Sequence, residues 1–159
     1  MKAYNLNCDG TRPSFIDLAG IEPKNGVEAA ALYINMGLRV VPCEGKKPIL
    51  KVWLELRLED EDLPQHFGDG QNVGLILGEP SGWLVNVDLD VPEALKISDW
   101  FLPQTLTGGR KSTPRAHHFY RAAGLETKKW QDTDGVVLLE IRSTGSQTLV
   151  EPSVHPSGE

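Results

Sequence analysis

The chain has 159 residues, 40% of them hydrophobic, and a formal net charge of −6. That length suits one domain with a sizeable core, and the negative charge argues against a strong non-specific duplex binder, which works by neutralising phosphates. No apolar run approaches the roughly 18 residues that span a bilayer, the N-terminus lacks the apolar core of a signal peptide, and the two cysteines, Cys8 and Cys43, are too few for a disulfide framework, so a reducing, cytoplasmic location is the default.

Residues 1–26 carry little periodicity and are punctuated by Pro13, Gly20, Pro23 and Gly26, so they read as an N-terminal arm ahead of a domain over 27–159. Ala29, Ala30, Leu32, Tyr33 and Met36 form the apolar face of a helix from about Val27 to Met36, ended by Gly37. Leu38 to Cys43 reads as a strand, and Glu44 to Pro48 as a turn carrying Lys46 and Lys47. The spacing of Val52, Trp53, Leu56 and Leu63 predicts an amphipathic helix over 50–63. Asn72 to Gly78 is a short apolar strand, joined by the turn Glu79 to Gly82 to the strand through Asp88 and predicted to form a hairpin with it. Pro92 opens a short helix to Phe101, and 105–113 is a Gly- and Thr-rich connector. Strands follow at His117 to Arg121, Val136 to Arg142 and Thr148 to Val150, with a loop or long hairpin tip over 122–134. Helices come early and strands dominate later, which predicts an α+β fold with a mainly antiparallel sheet and flanking helices.

The chain is organised around Val85-Asn86-Val87-Asp88-Leu89-Asp90. Asp88 and Asp90 sit two apart, so on a strand both point to one face. Side by side they repel, and a divalent cation relieves that repulsion because Mg²⁺ and Mn²⁺ prefer carboxylate oxygens. The plainer reading is two solvent-facing aspartates at a fraying strand end. Three of the four histidines, His117, His118 and His155, fall in the same half of the chain as these acids and Glu140. Charged groups on apolar strands are costly unless paired or metal-bound. For His117 and His118 the plainer reading is one core and one surface histidine, and for Glu140 with Arg142 a same-face ion pair.

Taken in order, the segments Gly45-Lys46-Lys47-Pro48-Ile49, Asn72 to Gly78, Val85 to Asp90, Leu102-Pro103-Gln104-Thr105, His117 to Arg121, Leu139-Glu140-Ile141-Arg142 and the closing Pro152-Ser153-Val154-His155-Pro156-Ser157-Gly158 resemble the bifunctional primase/polymerase (prim-pol) domain of the archaeo-eukaryotic primase superfamily. The resemblance covers roughly 27–159. It implies a primase-like core, related to the RNA-recognition-motif fold. It also implies a DNA primase or template-directed polymerase of a plasmid, phage or mobile-element replication protein, with Mg²⁺ or Mn²⁺ at a two-metal site. Asp88, Asp90 and Glu140 fall on the family's metal-binding acids and His117 on its phosphate-contacting histidine, with His118 as the alternative. Ser153 and His155 fall on further nucleotide contacts, joined by Arg142, with Arg115 and Lys47 at the rim. The implied partners are a DNA template and primer, a dNTP or NTP, and a helicase elsewhere in a longer protein from which this chain is cut. Arg115 stands where relatives carry a small residue, and Glu140 where many carry Asp. Two other readings stay open: a non-catalytic DNA- or nucleotide-binding module of the same fold, and a metal-dependent nuclease or hydrolase. Basic turns at Lys46 and Lys47, at Arg110, Lys111 and Arg115, and at Lys128 and Lys129 are candidate template contacts. Trp130 is a candidate stacking residue, whereas Trp53 and Trp83 suit the core better.

Overall fold

The structure is a computed structural model and describes residues 23–68 and 70–159. Most of the expected N-terminal arm, along with Cys8, lies outside the described residues. Helix α1 spans Gly26–Asn35, and Asn25 caps it by accepting from the Glu28 N–H. Two antiparallel sheets follow. The first has strand order β2-β1-β3-β9, built from β1 (Arg39–Glu44), β2 (Lys47–Pro48), β3 (Asn72–Ile76) and β9 (Gln147–Val150). The second has order β5-β6-β4-β8-β7, from β4 (Leu84–Leu89), β5 (Thr107–Arg110), β6 (Thr113–Arg121), β7 (Lys128–Gln131) and β8 (Val137–Arg142). Mixed helices and antiparallel sheets make this the α+β, primase-like fold expected from the sequence.

Three apolar clusters hold these layers together. The main core joins α1 (Ala29, Ala30) to one face of the first sheet (Val40, Val73, Leu75) and reaches Leu84 and Phe119 of the second. Val41, Cys43 and Ile76 use the first sheet's other face, under Trp53 and Leu56. Helix α3 (Pro92–Phe101) covers Val87 and Leu89 on the back of the second sheet. Strand alternation therefore turns Val87 and Leu89 to the back and Asn86 and Asp88 to the front.

Three expectations of local structure are corrected. The predicted helix over 50–63 is two 3₁₀ turns, Trp53–Glu55 and Asp60–Asp62, leading into a short helix α2 at Leu63–His66. Arg57 interrupts it by donating to the carbonyls of Leu54 and Leu56, and Glu59 and Asp62 then cap each other's backbone to begin a new start. Val52 is consequently 70% exposed, while Leu58 and Leu63 are buried. The predicted hairpin over 72–91 does not form either: β3 and β4 belong to different sheets and share only a bridge between Gly78 and Leu84. Both strands are almost wholly buried, so each needs partners on both edges, more than a hairpin supplies. The break falls at Gly78, where φ is +80° and a β-carbon would run into Thr144. Finally, the connector over 105–113 contains β5, and the 122–134 tip contains β7.

Candidate active site

The register of the second sheet lines up one rung across all five strands. Lys129 of β7 pairs with Glu140 of β8, Glu140 with Asp88 of β4, Asp88 with His117 of β6, and His117 with Gly108 of β5. Directly opposed residues share a face, so two acids, a histidine and a lysine stand side by side with glycine at the open end. Arg142, in register with Asn86, lies two rungs away on the same face.

The polar contacts are dense. His117 Nδ1 is 3.3 Å from Asp88 Oδ1 and 3.1 Å from Asn86 Nδ2. With a proton on Nδ1 the ring donates to Asp88; with a lone pair there it accepts from Asn86. Asn86 is fully buried and also donates to Thr148 Oγ1 at 3.1 Å, tying β4 to β9 of the first sheet. Arg142 bridges the acids, with Nη1 3.7 Å from Asp88 Oδ2 and Nε 3.1 Å from Glu140 Oε2. Lys129 Nζ is 3.4 Å from Glu140 Oε1. Asp90 follows β4 directly, its N–H donating to the Leu138 carbonyl. Burial, followed by the charge of Asp88, raises the Asp90 pKa, with Arg142 opposing. Burial also lowers the His117 pKa, reinforced by Arg142, Lys46 and Arg110 and opposed by Asp88.

The rung opens onto a cleft of about 710 Å³ between the sheets, lined by Asp88, Asp90, His117 and Arg142 and by Lys46, Arg110, Ser153 and His155. Lys46 and Arg110 enter from the β1–β2 turn and the end of β5. Arg110 Nη1 lies 3.4 Å from His155 Nδ1 and 3.8 Å from Glu159. Apolar residues, among them Leu32, Leu75, Leu106 and Val150, form the remaining wall.

Other sequence candidates fall elsewhere. Lys47 is an exposed residue of β2 outside the cleft lining, and Lys46 takes the place expected of it. Arg115 lies outside the cleft too, in a bidentate pair with Asp99 of α3. Its φ of +64° redirects it there. Ser153 lines the cleft, but its hydroxyl accepts from Val73 N–H at 2.9 Å and donates to Val73 C=O at 3.1 Å, stitching the closing segment to β3. His118 is buried on the sheet's other face, in register with Val87. Sequence reasoning gave Lys46 and Arg110 as basic-turn contacts for a template strand, whereas both line the cleft itself, and it missed Asn86 as a buried polar link. The signal for Asn86 was a polar residue inside an apolar strand.

The acids supply the hard oxygen donors that Mg²⁺ or Mn²⁺ prefer. Among the described residues, no three His, Cys, Asp or Glu side chains already stand close enough to hold a metal ion. Arg142 and Lys129 sit among the acids and carry the balancing charge instead.

This fold, with acids in one rung beside a cation-lined cleft, defines a primase-like α+β domain. The chain belongs to the bifunctional DNA primase/polymerase, N-terminal family, whose model matches residues 30–159. The family makes this a domain of the DNA primase/polymerase kind, with DNA and nucleotides as the substrates it implies. No curated protein matches the chain at a significant level. No helix among the described residues is long and apolar enough to cross a membrane.

Proposed function

We propose that this domain transfers a nucleotide from a dNTP or NTP to a 3′-hydroxyl along a DNA template, as the primase or polymerase of a plasmid, phage or mobile-element replication protein in the cytoplasm. The observation that carries the reading is the rung itself: Asp88 beside His117, with Glu140 buried behind it in register and the cations Lys46 and Arg110 beyond His117, where Asp88, Asp90, His117 and these cations line one cleft. In the reaction the 3′-oxygen bonds to the α-phosphorus, the bond to pyrophosphate breaks, and the hydroxyl proton passes to solvent. Asp88, Asp90 and Glu140 are the residues that would hold Mg²⁺ or Mn²⁺. Such ions, when bound, neutralise charge on the attacking and leaving oxygens. Lys46, Arg110, His117 and His155 surround the place for the triphosphate, where charge-assisted hydrogen bonds are strongest. His117 donates from its outer nitrogen to a phosphate oxygen while its Nδ1 accepts from Asn86. Arg142 neutralises the acids in the free protein and is placed to follow the phosphates. Ser153 acts at one remove, by fixing the closing segment that carries His155.

One observation favours a second reading, a nucleotide- or DNA-binding module without catalysis: Glu140 is already neutralised by both Arg142 and Lys129. Metal-dependent incorporation of labelled dNTP on a primed template separates the two. Primer extension supports transfer, retardation without extension supports the module, and primer shortening identifies a nuclease.

A further inference from the structure

The rung has a direction. From the centre at Asp88 it runs one way through His117 to Gly108, toward Arg110, Lys46 and His155. The other way it runs through Glu140 to Lys129 on β7, the last strand of the sheet. In an in-line displacement the attacking and leaving oxygens lie on opposite sides of the phosphorus. With the triphosphate at the His117 end, the attacking 3′-oxygen has to arrive from the Lys129 end.

The β7 edge has the chemistry to receive it. Lys129 carries a side chain 56% exposed, in contact with Glu140. Alternation turns Lys128 and Trp130 to the other side of the strand. There the Lys128 ammonium lies 5.0 Å from the Trp130 ring centroid, and Trp130 is 37% exposed. An ammonium beside a half-exposed indole is a pairing that meets a phosphate and its sugar or base together. In the adjoining turn the Asp132 carboxylate is engaged within its own loop, accepting from the N–H groups of Asp134 and Val136.

We propose that the β7 edge is the seat of the primer strand: the 3′-terminal nucleotide lies beside Lys129, and the nucleotides before it run along β7 against Lys128 and Trp130. This rests on the nucleotidyl-transfer reading above. It assigns the partner as the strand being extended and not its template.

The test uses the full chain with a fluorescent, 3′-recessed primer–template. The Lys128→Ala/Trp130→Ala double variant avoids Lys129, whose loss would also disturb Glu140. Anisotropy should show a Kd for primer–template raised about tenfold, the scale of one lost base-stacking contact. Calorimetry with dATP and Mn²⁺ should show an unchanged nucleotide Kd. In a second arm, 5-iodouracil is placed two nucleotides from the primer 3′ end, and irradiation should crosslink it within 128–131. An unchanged primer Kd, or a crosslink there only when the label is on the template strand, overturns the proposal. A wild-type protein that binds primer and nucleotide yet never extends would overturn the transfer reading and leave the seat standing. Extension at wild-type primer affinity by the double variant would overturn the seat alone.

Discussion

Replacing Asn72 by alanine tests how the cation end of the cleft is assembled. Asn72 is 6% exposed at the start of β3. Its amide donates to the Gly45 carbonyl at 2.9 Å and to the Val154 carbonyl at 2.7 Å, and it accepts from the Val154 N–H at 2.8 Å. One side chain thus clips the β1–β2 turn to the closing segment, and each neighbour carries a cleft residue, Lys46 and His155. Three hydrogen bonds at about 1 kcal/mol each give a loss of about 3 kcal/mol. With an m-value of about 2 kcal/mol/M, the urea midpoint should fall by roughly 1.5 M. The nucleotide KM in primer extension should rise about tenfold, the scale of one misplaced charge-assisted contact. Leu95→Ala on α3 is the control, because it weakens the back of the second sheet and touches neither segment. A midpoint shift below about 0.3 M, or an equal KM rise in the control, refutes the reasoning. Asn72→Asp sharpens the test. The new carboxyl faces two carbonyls, so its folded pKa is raised and the variant is most stable when it is protonated. Its stability should therefore be lost as pH rises through that pKa, the reverse of a salt-bridged aspartate.

Asp88→Ala should abolish nucleotide addition with the melting temperature within a few degrees of wild type, since Arg142 keeps its pair with Glu140 and one fewer clustered acid lowers the repulsion; retained extension would remove Asp88 from the chemistry. For His117→Ala, steady-state kinetics should show a raised nucleotide KM together with a lowered kcat, because a phosphate contact acts in ground and transition states alike. A pure kcat effect would assign an acid or base role instead. Cys43 is wholly buried, and burial pushes its thiol up to about 11, so at pH 8 roughly one molecule in a thousand carries the thiolate. Iodoacetamide should leave the Cys43 peptide unmodified in native buffer and label it fully in urea, as read by mass spectrometry.

The residues of the candidate site were legible because their signals are local. Asp88 with Asp90 on an apolar strand, His117 on a second strand and Glu140 with Arg142 on a third each break a hydrophobic pattern, and β-pairing then sets them in register. The sequence could not show which strands are neighbours. The segment between Asn72 and Asp88 looked like a hairpin because both halves are apolar and the turn is short. The deciding facts were non-local: β9 needs β3, while β6 and β8 take both edges of β4. The helix expected over 50–63 had the right apolar spacing, but Arg57 bonding its own backbone broke it, and periodicity carries no sign of that. Lys46 and Lys47 are indistinguishable in sequence. Only the turn decides which one reaches the cleft.

The charge balance of the site leads to a last prediction. Cations and acids at the cleft are paired with one another: Arg142 with Asp88 and Glu140, Lys129 with Glu140, Arg110 with Glu159. A triphosphate entering alone has to draw cations from these acids and leave the acids uncompensated at a partly buried site, which is costly. A divalent ion entering alone has to displace the cations, which then lose their partners. Entering together, the ion takes the acids and the phosphates take the cations, so every charge changes partner and none is stranded. Metal and nucleotide should therefore bind with positive coupling, of the order of 5- to 150-fold in affinity and equal in both directions by linkage. Calorimetric titration of dATP with and without Mn²⁺, and of Mn²⁺ with and without dATP, measures both arms. Because dATP itself binds Mn²⁺, the coupling is scored against Lys46→Ala/Arg110→Ala, which keeps the acids and removes cations facing the phosphates. If wild type and that variant show the same coupling, the partner exchange does not occur.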